Sequence, residues 1–192
     1  MLSAYQQELR DRLLSVPELP APAPWRRVWD RRMPVGGLLC VGFAVDPVDG
    51  RDLVLVESTA GLGLFDAESG EKPARDRDPD HDGPEWERDL TCPGIGPLAG
   101  TPVRMAGIYG GGLHTGASGG WGVEVVSPQW PHHRVLLSHG ASMPYREPHG
   151  EGWWHIFDAD YSTLRAAGFS PSGRTLAVAT SSDLTLWTRP AP

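Results

Sequence analysis

The stretch Phe169-Ser170-Pro171-Ser172-Gly173-Arg174-Thr175-Leu176-Ala177-Val178-Ala179-Thr180, continued through Asp183-Leu184-Thr185-Leu186-Trp187, decides the fold class. Pro171 and Gly173 make a turn, Leu176–Ala179 is an unbroken apolar run, and Leu184 to Trp187 alternates before ending on an aromatic. An earlier stretch repeats this order. Val41-Gly42-Phe43, Asp49-Gly50-Arg51, Leu53-Val54-Leu55-Val56 and Leu62-Gly63-Leu64-Phe65 lie beside Ala167-Gly168-Phe169, Ser172-Gly173-Arg174, Leu176-Ala177-Val178-Ala179 and Leu184-Thr185-Leu186-Trp187, with two small gaps. Each copy makes sense as a three-stranded meander that cannot bury both of its faces alone.

Outward from the repeat, short β-prone runs separated by Gly, Pro and Asp continue through the chain. They predict strands at Leu38–Ala44, Leu53–Glu57, Gly61–Asp66, Val103–Ile108, Gly122–Ser127, Arg134–Leu137, Trp153–Phe157, Leu164–Ser170, Leu176–Thr180 and Leu184–Arg189. Only residues 3–15 read as helix: Ser3 and Gln6 form a capping box, and Tyr5, Leu9 and Leu13 form an apolar stripe that packs on the body or on a partner. Pro17, Pro20, Pro22 and Pro24 forbid further helix. The expected organisation is an N-terminal helix (1–16), a Pro- and Arg-rich linker (17–34) and a single β domain (35–192), all-β in class, of antiparallel meanders with one N-terminal helix. In the linker, Arg26, Arg27, Arg31 and Arg32 surround Trp25 and Trp29, the pattern of a solvated rim with tryptophans packed below.

The C-terminal copy resembles a blade of the WD40 β-propeller family, whose blades carry Phe-Ser-Pro-x-Gly, an inner apolar strand and a last strand bearing Trp. The likeness covers 164–189, and 38–69 more weakly. It implies stacked blades, and at about 40–45 residues per blade the β domain holds three or four. A ring of four irregular blades, a two-sheet sandwich of the same meanders, and a small or partial propeller completed by a partner all stay open.

Composition narrows the function. The 192 residues carry a net charge of −7, which argues against the non-specific attraction to phosphate backbones that clustered Lys and Arg supply, so no nucleic-acid partner is expected. Residues 1–16 lack the apolar block of a secretory signal and no run of about 18 apolar residues occurs, so no membrane partner and a cytoplasmic location are expected. Cys40, in an apolar run, and Cys92, in a Thr-Cys-Pro turn, read as buried free thiols.

Three patterns touch on chemistry. From Asp78 to Asp89, oxygens at positions 1, 3 and 5, glycine at 6 and a carboxylate at 12 match the spacing of a calcium loop, which makes Asp78, Asp80, Asp82 and Asp89 a calcium ligand set; its alternative is a solvated acidic loop that also contains Asp76. Gly116-Ala117-Ser118-Gly119-Gly120 fits Gly-x-Ser-x-Gly, but runs into a strand where a nucleophile elbow needs a helix, so it reads as a hairpin tip. Six of the seven histidines, His114, His132, His133, His139, His149 and His155, fall between 114 and 155 without helical ligand spacing. Around His155, strand alternation predicts Trp153, His155 and Phe157 on one face and Trp154 and Ile156 on the other.

None of these is a catalytic constellation, so the expected function is a non-enzymatic protein-binding module with no required cofactor. Asp76, Asp78, Asp80, Asp82, Glu85, Trp86, His114, Trp121 and Trp153 are its expected binding residues. Its concrete form is an immunity-type inhibitor that covers a basic bacterial toxin with the acidic 76–89 surface. The alternatives are a small metal-dependent hydrolase using the histidines with Asp158 or Asp160, and a structural subunit of a larger assembly.

Overall fold

The computed structural model describes residues 2–78, 89–140 and 146–190. Helix α1 spans Ala4–Ser15 and is capped as the sequence predicts: Gln6 N donates to Ser3 Oγ at 3.2 Å and Ser3 N to Gln6 Oε1 at 2.9 Å. In chain order the strands are β1 (Arg26–Arg27), β2 (Met33–Pro34), β3 (Leu38–Val45), β4 (Asp52–Ser58), β5 (Gly61–Asp66), β6 (Ala74–Asp76), β7 (Thr91–Pro93), β8 (Pro102–Arg104), β9 (Ala106–Gly107), β10 (Gly116–Ala117), β11 (Trp121–Gln129), β12 (His132–His139), β13 (Trp153–Ala159), β14 (Leu164–Phe169), β15 (Thr175–Thr180) and β16 (Asp183–Thr188). The protein is all-β with one N-terminal α-helix, built from antiparallel sheets, and no sheet closes into a barrel among the described residues.

Both copies of the repeat are three-stranded meanders, β3–β4–β5 and β14–β15–β16. Pairing register fixes their equivalence: Phe43, Val54 and Phe65 form one rung, and Phe169, Leu176 and Trp187 the corresponding rung. This shifts the inner strand by one residue from the sequence alignment, because Val54 rather than Leu53 occupies the place of Leu176. In a strand that shift reverses the face, and Leu53 accordingly points to the opposite side of its sheet from Val54.

The sheets stack head to tail. Phe169, Leu176 and Trp187 pack toward the β10–β13 sheet, against Val123, Val135, Leu137 and Phe157. The other face of β15–β16, with Ala177, Ala179, Leu184 and Leu186, packs on the equivalent rung of the first copy and its neighbours Val41 and Val56. Two outer faces remain, and local elements cover both. The β7–β8 hairpin seals one, setting Cys92, Leu98, Val103 and Met105 against Leu53, Leu55, Leu62 and Leu64. Helix α1 seals the other with Leu13, and Leu9 at its edge, over Leu136 and Trp153. Tyr5, the third residue of the expected stripe, is 59% exposed.

Two strand edges, those of β16 and β13, are covered as well. The stretch 17–34 does not merely link: β1 pairs with Thr188 and Trp187, and β2 with Asp183 and Leu184, so both cover the outer edge of β16. Along β13, Leu19 N donates to His155 O at 2.7 Å, Asp158 N to Glu18 Oε2 at 3.2 Å, and Arg32 Nη2 to Asp158 O at 3.2 Å. Unpaired strand edges recruit other chains; here the N-terminal segment occupies them.

A buried polar joint locks the two copies together. Asp52, at the start of β4, accepts through Oδ2 from Ser170 Oγ (2.8 Å) and Ser172 Oγ (2.6 Å) in the Phe-Ser-Pro-Ser-Gly turn and from Thr175 Oγ1 (2.9 Å) at the start of β15. Arg174 Nη2 donates to Gly50 O at 2.9 Å, joining the two equivalent turns. The expected strand Val103–Ile108 breaks in two at Met105, whose N–H donates to Leu90 O; Ala106–Gly107 then leaves the hairpin to pair with β3, and Ile108 is half exposed.

Candidate functional site

The acidic segment is divided by what the structure describes. Asp76 ends β6 with its side chain exposed, and its Oδ1 accepts from Asp78 N at 3.0 Å; Asp89 Oδ1 accepts from Thr91 Oγ1 at 2.7 Å. Asp80, Asp82, Glu85 and Trp86 lie outside the described residues. No three His, Cys, Asp or Glu side chains gather as a metal set among the described residues.

The two other tryptophans expected to bind belong to the core. Trp121 is buried beside Trp25 at 5.7 Å and Trp154 at 6.2 Å, and Trp153 has no exposure at all. Both occupy strand positions whose burial holds the β10–β13 sheet to its neighbours. His114 is exposed, and its carbonyl accepts from Phe169 N at 2.7 Å.

The remaining histidines spread over separate packing sites. His139 stacks on Trp121 at 4.6 Å, His149 on Trp153 at 4.8 Å, and His133 Nδ1 lies 2.7 Å from Ser127 Oγ. His155 is 1% exposed, its Nε2 donating to Phe157 O at 3.1 Å and sitting 4.0 Å from Asp158 Oδ2. Burial, with the Arg134 guanidinium nearby, lowers its pKa; burial, with His155 as neighbour, does the same to His149. Both are held neutral, and His149 Nε2 accepts from His155 N at 3.1 Å. The expected alternation in this strand fails, because a register shift opposite Val135 and Leu136 puts Phe157 on the same face as Trp154 and Ile156 while Trp153 faces α1. The Gly-x-Ser-x-Gly stretch forms β10 and a single 3-10 turn, and Ser118 Oγ accepts from Arg189 Nη2 at 2.9 Å.

An open apolar groove lies where α1 meets the tip of the β11–β12 hairpin. Leu9 and Leu13 on the helix, Val126, Pro128 and Trp130 on the hairpin and Leu2 beside them line this groove of about 490 Å³. Trp130 is 79% exposed and Leu2 53%, so large apolar surface stays in water at one place. The groove is held rigidly. Arg10 Nε donates to Pro128 O at 2.8 Å, and Arg134 donates to Leu13 O, tying helix to hairpin. These bonds also turn the arginines inward, while Glu8 on α1 and Glu124, two residues from Val126 on the same strand face, are exposed. Sequence reading passed over Trp130; its signal was a large aromatic between Pro128 and Pro131 at a turn between two strands, where no core position exists.

No protein-family model matches this chain, and neither a curated protein nor a solved structure matches it.

Proposed function

We propose that this protein is a protein-binding module that docks a basic partner through the groove between α1 and the β11–β12 hairpin. The observation that carries the reading is Trp130, an aromatic left 79% exposed beside a preformed apolar groove, on a molecule that covers both outer faces of its stack with local elements. Exposed aromatics at preformed pockets are the residues on which interface energy concentrates. The partner's charge follows from the whole chain, which carries −7; at the groove itself the charged lining residue is Arg10, held on Pro128 O. A basic protein with an exposed apolar segment complements this chain. An immunity-type inhibitor of a basic toxin is the concrete form of the proposal.

Capture from an extract of the source cell tests it. Immobilised wild-type chain should retain one basic protein that Trp130→Ala and Val126→Glu, folded by circular dichroism, retain at least about tenfold less. Equal retention by all three would contradict the groove.

A further inference from the structure

We propose that a second cleft, at the outer rim of the seam between the β10–β13 sheet and the C-terminal sheet, binds a small carboxylic acid with an apolar body. The segment that closes the edge of β13 roofs this cleft. Leu19, Pro20 and Ala21 from that segment, Ile156 from β13, and Trp25 and Trp187 enclose about 410 Å³. Two charged groups stand at its wall, and their states differ. Glu18 is already satisfied, accepting from Asp158 N at 3.2 Å and lying 3.7 Å from Arg32 Nη2. Arg27 is not. Its guanidinium sits 5.5 Å from the Trp187 ring centroid and has no hydrogen bond or ion pair among the described residues.

Trp25 is 95% buried and contributes its ring to the wall, its Nε1 lying out of reach of the cleft. The wall therefore combines apolar and aromatic surface with one fixed cation, Arg27, that is unpaired among the described residues, while its carboxylate, Glu18, is already engaged. A guanidinium presents paired N–H groups that match a carboxylate in a bidentate fork, and stacking on Trp187 preorients it. The apolar wall accepts a ring or branched chain of about ten heavy atoms. An ammonium ligand would meet Arg27 as a like charge, and a neutral apolar molecule would leave the guanidinium without an acceptor. This cleft is formed by different elements from the α1 groove, so the two sites stand or fall independently.

The test uses 3-phenylpropionate and its neutral amide as probes, followed through the indole ¹H–¹⁵N resonances of the full chain. The acid is expected to shift the Trp25 and Trp187 resonances with a Kd of about 1–10 mM, as suits a ligand of this size, and to leave the distant Trp130 resonance in place. The amide should bind at least about tenfold more weakly. Arg27→Gln should remove that difference, and because Arg27 is exposed the variant keeps the fold. Ala21→Trp, which fills the cleft, should abolish both titrations while the rest of the spectrum stays dispersed. Acid and amide binding equally, an Arg27→Gln variant with unchanged preference, or no saturable shift of Trp25 and Trp187 up to about 50 mM would each overturn the proposal.

Discussion

Glycine 168 shows how single residues carry the repeat. A Cβ there would lie 2.4 Å from Leu113 Cβ and 2.8 Å from His114 O, and a Cβ on its equivalent, Gly42, would lie 2.4 Å from Arg104 O. Each copy needs glycine before its Phe because another segment of chain crosses against that backbone. Gly168→Ala should therefore destabilise the protein by about 1–3 kcal/mol in urea titration, with the m-value unchanged. Histidine supplies the pH prediction. His155 and His149 titrate below their ordinary value of 6.5 in the folded chain. The unfolded chain therefore binds more protons in that window, and their contribution to stability, full above pH 6.5, is lost as the pH falls below it. Chemical denaturation at pH 7.5 and pH 5.5 should show this loss, and His155→Leu should flatten the slope, which cannot exceed about 1.4 kcal/mol per pH unit for one group. The buried thiols lie outside this range. Burial raises Cys40 to about 11 and Cys92 to about 12, so both stay protonated.

At the scale of elements, legibility followed length and periodicity. The helix with its cap and the long apolar strands β3, β4, β5 and β11 to β16 could be read directly, since each carries its own pattern. Strands β1, β2, β6, β7 and β10 span two or three residues, too few to show a period, and they form by pairing with edges that other strands already present. The face assignment around His155 failed for a different cause: alternation presumes an unbroken ladder, and a register shift interrupts this one. The site was less legible than the fold. Trp121 and Trp153, expected to bind, are core residues, whereas Trp130, for which no role was expected, is the exposed one, because exposure at a hairpin tip leaves no periodic signal. Among the elements, α1 has the clearest single role, covering Leu136 and Trp153. Leu13→Ala opens that contact, and a loss of about 2–5 kcal/mol is expected in thermal or urea unfolding, within the range for buried leucines.

For the whole molecule, the stack resolves a difficulty that repeats raise. Units that bury only one face on a neighbour leave two bare ends, and repeat arrays need caps for that reason. Here the caps are α1 and the β7–β8 hairpin, and the N-terminal segment also takes the outer edges of β13 and β16. A chain closed in this way has no need of further copies, so it should sediment as a monomer at micromolar concentration, with a coefficient independent of dilution. The groove beside Trp130 then stays free to take a protein partner. Site-specific photocross-linking tests this most directly, with p-benzoylphenylalanine placed at Trp130, at Tyr5, or at Val48, which is 90% exposed on the distant β3–β4 turn. The account predicts one protein adduct from positions 130 and 5 and none from 48; an adduct from position 48 alone would contradict it.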